Sequence, residues 1–346
     1  MVAQKEDAMP QLQLNLFRFL AVLAIAVGAT VMCRAQTSES TEMWVDEPAS
    51  FAYSDITNPI FAVTGQLLWL NRTEADGDQT LVTGTTAIDT TTILRMDDLN
   101  LPTEAGFRGT VLLGPSTGRY FELTYAGIFD QDATVTIAPN AFLQTTQQFF
   151  GASSSLLADF QYTASYESDL HTIEINAWTD QEVWRLRPFV GARWIRQAEE
   201  FQVFETLTPG NGGRADFSND LIGAQLGLAT VLWQRTDWFH AQAIAKAGMY
   251  HNNMEMTSSW NTGGVAIATL DRTAAATSCS GEVNITAVWH LTPSMNFHVG
   301  YTGLWLTEVG LVGDQNDDFD ILAGTGDLDL GSVSYQGGHL GVTLIR

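Results

Sequence analysis

The chain has 346 residues, of which 16 are Lys or Arg and 39 are Asp or Glu, giving a formal charge of −23. Hydrophobic residues make up 45% and charged residues 16%, which excludes a disordered chain because there is ample apolar surface to bury. The acidic balance excludes a nucleic-acid binder, since phosphate contacts need Lys and Arg.

The chain opens with an address. Phe19 to Met32 is an uncharged apolar run preceded by Arg18 and followed by Cys33-Arg34-Ala35, with small residues at −3 and −1 of a cut after Ala35. This pattern predicts a secretory signal peptide over 1–35, the run being shorter than the roughly 20 residues a spanning helix needs. A lipoprotein reading of Cys33 is disfavoured by Met32, which stands where that processing needs a small residue. Removal of 1–35 leaves Cys279 without a disulfide partner. Residues 36–60 are polar and irregular and read as an N-terminal linker or arm.

From Phe61 the pattern changes to segments of about ten residues alternating with period 2, as strands with two unlike faces do. Phe61, Val63, Leu67 and Trp69 oppose Ala62, Thr64 and Gln66. Later, Val283, Ile285, Ala287 and Trp289 oppose Glu282, Asn284, Thr286 and His290, and Met295, Phe297, Val299, Tyr301 and Trp305 oppose Asn296, His298, Gly300 and Thr302. Similar runs near 104–113, 119–129, 170–178, 186–194, 220–233, 238–250 and 335–345 bring the count to ten strands, or twelve if 79–101 holds a further hairpin. Short connections (Gly114–Gly118, Thr179–Val183, Gln234–Asp237, Leu291–Ser294) alternate with long ones near 73–103, 130–159, 197–219, 251–277 and 307–333. Eight Trp fall near strand ends: Trp69, Trp194 and Trp305 on the loop side, and Trp178, Trp184, Trp233, Trp238 and Trp289 on the turn side. Together these predict an all-β fold, a single antiparallel transmembrane β-barrel over 61–346 in the outer membrane, with short periplasmic turns, long external loops and two aromatic girdles.

The polar face of such a barrel lines the lumen. It carries Arg108, Glu122, Glu174, Arg187, Arg193, Lys246, Glu282 and His298, with His240, Gln242 and Asn284. Two readings of this set stand side by side: a charge-paired lattice filling the lumen, or an aqueous path with an arginine ladder at Arg185, Arg187 and Arg193. Ten strands enclose an interior that side chains nearly fill, whereas open porins use about 16–18. The loops hold most of the acid, including Glu74, Asp76, Asp97, Glu199, Glu200, Asp317 and Asp327. Asp314-x-Asn316-x-Asp318-x-Asp320 has the alternate spacing of half a calcium loop, but Phe319 stands where its Gly belongs and Thr325 replaces the bidentate Glu. Calcium is therefore a weak candidate, and no other cofactor is expected. G-x-S-x-G, Walker, H-E-x-x-H and C-x-x-C signatures are missing, so the expectation is no enzyme; Asp220 and His251 at loop-side strand ends are the pair that could mimic a rim hydrolase.

Asn219-Asp220-Leu221-Ile222-Gly223-Ala224-Gln225-Leu226-Gly227 resembles an N-x-x-x-G-x-Q-x-G motif of planctomycete-type outer-membrane β-barrel (porin-like) proteins, a family of no established activity. Leu291-Thr292-Pro293 with Val299-Gly300-Tyr301-Thr302-Gly303-Leu304-Trp305, followed by Asp314-Gln315, is similar to a strand pair of that family. Segments 168–176 and 187–193 resemble its central strands, so the similarity spans about 160–346. The chain departs from outer-membrane barrels generally in ending Leu344-Ile345-Arg346 rather than in an aromatic residue. The resemblance implies a porin-like passive channel or structural barrel. Its expected partners are outer-membrane lipid, the barrel-assembly machinery, and small ions or solutes. The alternative is a surface adhesion or ion-binding protein using the acidic loops.

Overall fold

In the computed structural model the described residues are 60–73, 80–85, 90–95, 98–99, 101–114, 120–137, 144–149, 152–156, 161–179, 186–206, 210–315 and 319–346. The expected signal peptide and nearly all of the arm lie outside them, as do Trp184 and Arg185. The alternating segments form β1 (Ile60–Arg72), β4 (Glu104–Gly114), β5 (Tyr120–Ile137), β8 (Tyr162–Trp178), β9 (Leu186–Glu205), β10 (Gly212–Thr236), β11 (Phe239–Thr262), β12 (Val265–Thr292), β13 (Met295–Val309) and β14 (Gly331–Ile345). These ten strands pair antiparallel and close on themselves, β1 joining both β4 and β14. Closure leaves no open edge in the lower part of the wall, and a membrane demands this because lipid cannot satisfy backbone groups.

The ring has ten strands, which corrects the twelve-strand alternative. The hairpin expected in 79–101 exists, as β2 (Thr80–Thr85) and β3 (Thr90–Arg95), but it does not enter the ring. It pairs instead with β6 (Gln144–Phe149) and β7 (Ala152–Leu156) in a separate four-stranded sheet of order β3-β2-β6-β7.

The outward side chains of the lower barrel are apolar: Phe61, Val63, Leu113, Leu123, Val190, Leu226, Leu228, Ile285, Val299, Val342 and Leu344 are all exposed. Inward neighbours such as Glu174, Asn176, Arg193, Gln225, Glu282 and Asn284 are buried and polar. This inside-out arrangement is that of a membrane-spanning barrel. Its turn-side girdle is an aromatic row on the outer wall, with ring centroids 5.5 Å apart for Trp233–Phe239, 5.0 Å for Phe239–Trp289 and 5.8 Å for Trp289–Phe297. Trp69 and Trp305 are exposed on the loop side. Trp178 departs from the expected girdle: it faces inward and packs on Phe189 at 4.2 Å.

Three of the expected long loops are largely strand. β5 extends into 130–159, which also holds β6 and β7, β9 and β10 fill most of 197–219, and β11 and β12 fill 251–277 and turn at Gly263-Gly264, both with positive φ. A spanning strand needs about 9–11 residues, and β12 has 28, so these hairpins rise well above the membrane. Their pattern inverts there. Outward residues become polar (Glu200, Gln202, Arg214, Asp216), and inward ones become apolar. Phe201, Val203, Ala215, Phe217, Met254, Met256 and Trp260 form one buried cluster with Phe149 of the small sheet. In β5 the crossover is marked by a bulge at Asp130, whose φ is 53°. The last long loop, between β13 and β14, first turns into the barrel mouth, where Val312–Gln315 forms a single helical turn, α1.

Candidate functional site: a layered lumen

Five layers can be followed through the lumen from the turn side. The first is a cavity of ≈ 160 Å³ lined by polar side chains, among them Thr64, Arg108, Glu122, His240, His298 and His339.

The second layer is charged. Register sets Glu174 of β8 directly opposite Arg193 of β9, and Lys246 of β11 opposite Glu282 of β12. The two pairs then interlock. Arg193 Nη1 meets Glu282 Oε2 at 2.7 Å and its Nε approaches Glu174 at 3.5 Å, while Lys246 Nζ reaches Glu174 at 2.8 Å and Glu282 at 3.3 Å. Arg108 reaches across the lumen from β4 to Glu282 at 3.4 Å. Amides complete the layer. Gln225 Nε2 donates to Glu174 and to Asn176 Oδ1, and Asn176 Nδ2 donates to Glu122 at 2.9 Å. Buried charges are tolerated only when paired and hydrogen-bonded in this way, because their desolvation costs several kcal/mol per ion.

The third layer is apolar. Leu68, Leu70, Ile128, Leu170, Ile195, Leu221, Tyr250, Leu304, Leu306 and Tyr335, from eight strands, form one buried cluster across the lumen. The fourth is a smaller polar layer. Arg72 is paired with Glu199 and Tyr166, and Gln197 donates to Glu199 at 2.5 Å. This layer grips the inturned segment after β13. Asn219 Nδ2 donates to Gly310 O at 2.7 Å and its Oδ1 accepts the Gly310 N–H at 2.9 Å; Glu199 Oε2 accepts the Val312 N–H at 2.8 Å. Asn252 and Ser278 donate to the carbonyl of Glu308, whose φ is 56°. Gln315 closes the neck by bonding both backbone groups of Asp329. The fifth layer is the apolar cluster of the raised hairpins, into which Val312, Phe319 and Ile321 also insert.

The structure brings together Arg108, Glu122, Glu174, Arg193, Lys246 and Glu282, as the inward parity predicts. Arg187 also faces in, but at the turn end over the Tyr120 ring, 5.5 Å from its centroid. The expected arginine ladder is therefore corrected: Arg193 is locked in ion pairs and Arg187 sits in a different setting. His298 Nδ1 is 3.3 Å from Gln66 Nε2, and its Nε2 is 3.3 Å from Thr343 Oγ1. Glu199, expected in a solvated acidic loop, is an inward residue, 3% exposed. The lumen set read from the sequence omits Arg72, Asn176, Asn219 and Gln225, the last three lying in segments read only for the family resemblance; each stands at an inward parity position that an extended count along its strand identifies.

The half calcium loop is divided. Asn316 and Asp318 lie outside the described residues. Asp314 belongs to α1, and Asp320 Oδ1 accepts the N–H groups of Leu322 and Ala323 at 3.0 and 2.9 Å. Phe319, at the position a calcium loop gives to Gly, is a buried core residue. Among the described residues, the three carboxylates close enough to share a cation are Asp130, Glu167 and Asp169, on the outer wall. Asp220 and His251 also stand on the outer wall, Asp220 accepting from Trp194 Nε1 at 3.3 Å; they do not face a cleft in the lumen.

No protein-family model matches the sequence, and no curated protein sequence matches it. Among solved structures the chain is similar to the outer-membrane protease OmpT from Escherichia coli, with 9% identity over 87% of this chain and 99% of that one, at a TM-score of 0.48. It is also similar to the toluene transporter TbuX of Ralstonia pickettii (8% identity, 84% and 89% covered, TM-score 0.34). A third similarity is to the translocator domain of the autotransporter NalP from Neisseria meningitidis (10%, 84% and 89%, TM-score 0.32).

Proposed function

We propose that the protein is an exported outer-membrane barrel, porin-like in architecture, that stands closed at rest. The observation that carries this reading is the apolar layer. A cluster drawn from eight strands lies across the lumen directly above the charged layer, and water and ions do not cross packed Leu, Ile and Tyr side chains. The inturned segment 310–315, held by Asn219 and Glu199, stoppers the mouth above it. Passage of small solutes then requires that segment to move, and a purely structural role requires only that it stay. The resemblance of 160–346 to planctomycete-type porin-like barrels fits this reading, as do partnership with outer-membrane lipid and the barrel-assembly machinery. Catalysis is not part of the proposal, since Asp220 and His251 face outward. For the ion-binding alternative, the carboxylates placed to share a cation are Asp130, Glu167 and Asp169 of the outer wall rather than those of the 314–320 loop.

The test is conductance in a planar bilayer, on barrels whose folding is shown by heat-dependent gel mobility. The natural chain is expected to give no steady current. Asn219→Ala, which frees both backbone groups of Gly310, is expected to give discrete opening steps. Steady conductance by the natural chain overturns the closed reading; silence of Asn219→Ala removes the stopper from it.

A further inference from the structure

The charged layer is not symmetrical toward its two sides. Glu282 and Arg193 side chains are 1% exposed and Glu174 is 2% exposed, whereas Lys246 is 9% and Arg108 15% exposed. Those two cations line the turn-side cavity, and Glu174, Glu282 and Arg193 do not. The layer thus hides Glu174 and Glu282 and presents its positive ends to a polar cavity. Arg108 is the less committed of the two. Lys246 Nζ has carboxylate contacts at 2.8, 3.1 and 3.3 Å, while Arg108 makes two long hydrogen bonds, 3.2 Å to Asn284 and 3.4 Å to Glu282, among the described residues. A guanidinium has five N–H donors in a fork that matches a carboxylate.

The rest of the lining is neutral or singly acidic. Thr110 and Thr124 hydroxyls bond each other at 2.9 Å, and Thr302 ties His339 to Asn284. Glu122, the one carboxylate of the lining, is held by Asn176. The lining balance is two cations against one anion. The cavity reaches from His240 and Asn296, one or two residues from the turns, up to Arg108, so its entrance lies on the turn side.

We propose that this cavity is a binding site for a small carboxylate that enters from the turn side and is anchored on Arg108. Its volume of ≈ 160 Å³ resembles that of an engineered cavity of about 150 Å³ that takes up benzene, so the ligand has about six heavy atoms. Lys246 contributes long-range attraction, and Glu122 favours a ligand carrying a hydrogen-bond donor at its other end. The inference rests on the lumen being closed above the charged layer, which makes the space a blind pocket.

The experiment is a calorimetric titration of the folded full chain in detergent with lactate and with lactamide, its neutral counterpart of equal size. Binding is read without any current, so its failure is distinguishable from failure of the closed-barrel reading. Lactate is expected to bind one to one, and lactamide about tenfold or more weaker. Arg108→Gln is expected to weaken lactate by a similar factor and Arg108→Lys to recover part of it. Should Arg108→Gln fail the gel-mobility test, Thr110→Met serves instead: it fills the cavity, leaves the charged layer intact, and is expected to abolish lactate binding. Absence of saturable lactate binding, equal binding of the two probes, or binding indifferent to these substitutions overturns the site.

Discussion

The barrel contains two buried charge layers, built on different plans. In the lower one Glu174 and Glu282 share Arg193, Lys246 and Arg108, so each carboxylate has more than one cation. In the upper one Arg72 and Glu199 have only each other as charge partners among the described residues, and Glu199 also holds the backbone of the inturned segment through Val312. The first plan is redundant and sets the shape of the lumen. The second is a single latch. Equal burial therefore does not mean equal sensitivity, and the number of partners decides.

The largest effect is expected at the latch. Arg72→Met leaves Glu199 buried without a cation and should lower stability by about 3–5 kcal/mol, the usual consequence of breaking a buried pair from one side. Lys246→Met leaves both lower carboxylates with Arg193 and should lower it by about 1.5–3 kcal/mol, the worth of one hydrogen bond to a charged group. Urea unfolding followed by gel mobility measures both, and a reversed order breaks the comparison. The next effect separates stability from closure. Replacing Arg72 with Met and Glu199 with Leu together removes both charges and should recover much of what Arg72→Met loses, short of the roughly 1–3 kcal/mol that a buried N–H without an acceptor costs. It still deprives the Val312 amide of its acceptor, so bilayer recordings should show openings the natural chain lacks. If the doubly substituted barrel stays silent, the latch is structural only.

The smallest effect is on the outer wall. Partial burial and the nearby carboxylates of Glu200, Asp169, Asp130 and Asp132 raise the Glu167 carboxyl above its ordinary range. A carboxyl raised in the folded state contributes stability below its unfolded value, and that contribution is lost as pH rises through the folded one. The raised hairpins should therefore resist protease better near pH 4 than near pH 6, about the ordinary glutamate range and above it. Asp169→Asn should flatten that dependence; an unchanged pH profile in Asp169→Asn removes the cluster as its cause.

The spanning barrel was legible because lipid outside and polar groups inside give each strand maximal contrast between neighbouring residues. Val283 beside Glu282, or Val190 beside Gly191 and Arg193, can be sorted by eye. The raised hairpins were not, because the contrast reverses where the wall leaves the membrane. Around Gln197 to Glu200 both faces are polar or small, so the alternation vanishes just where β9 continues. Beyond it Phe201 and Val203 are apolar on the inward side. A strand crossing from lipid to water thus reads as two short strands of opposite phase, or as strand followed by loop. The lumen candidates came from inward parity and were brought together for that reason. The latch escaped because Arg72 ends β1 and Glu199 lies inside this zone of lost contrast. The stopper escaped because hydrogen bonds from Asn219 to a backbone at Gly310 leave no periodic mark.

The uneven height of the wall has a cost of its own. β12 pairs with β13 only from Cys279 downward; from Val265 to Ser278 its partner among the described residues is β11 alone. The closed ring therefore continues upward as an open sheet, and an open sheet has an edge whose unused amides and carbonyls are a template for a foreign strand. Asp271 and Arg272 stand on that edge, and Arg272 donates to the carbonyls of Gly324 and Gly326. Charged residues on an edge strand are a common means of discouraging such pairing, and the Arg272 guanidinium ties the returning segment to this flank. A barrel that has no edge within the lipid thus regains two outside it, on upper β12 and on upper β5, where Gln131–Ile137 pairs with β8 alone among the described residues.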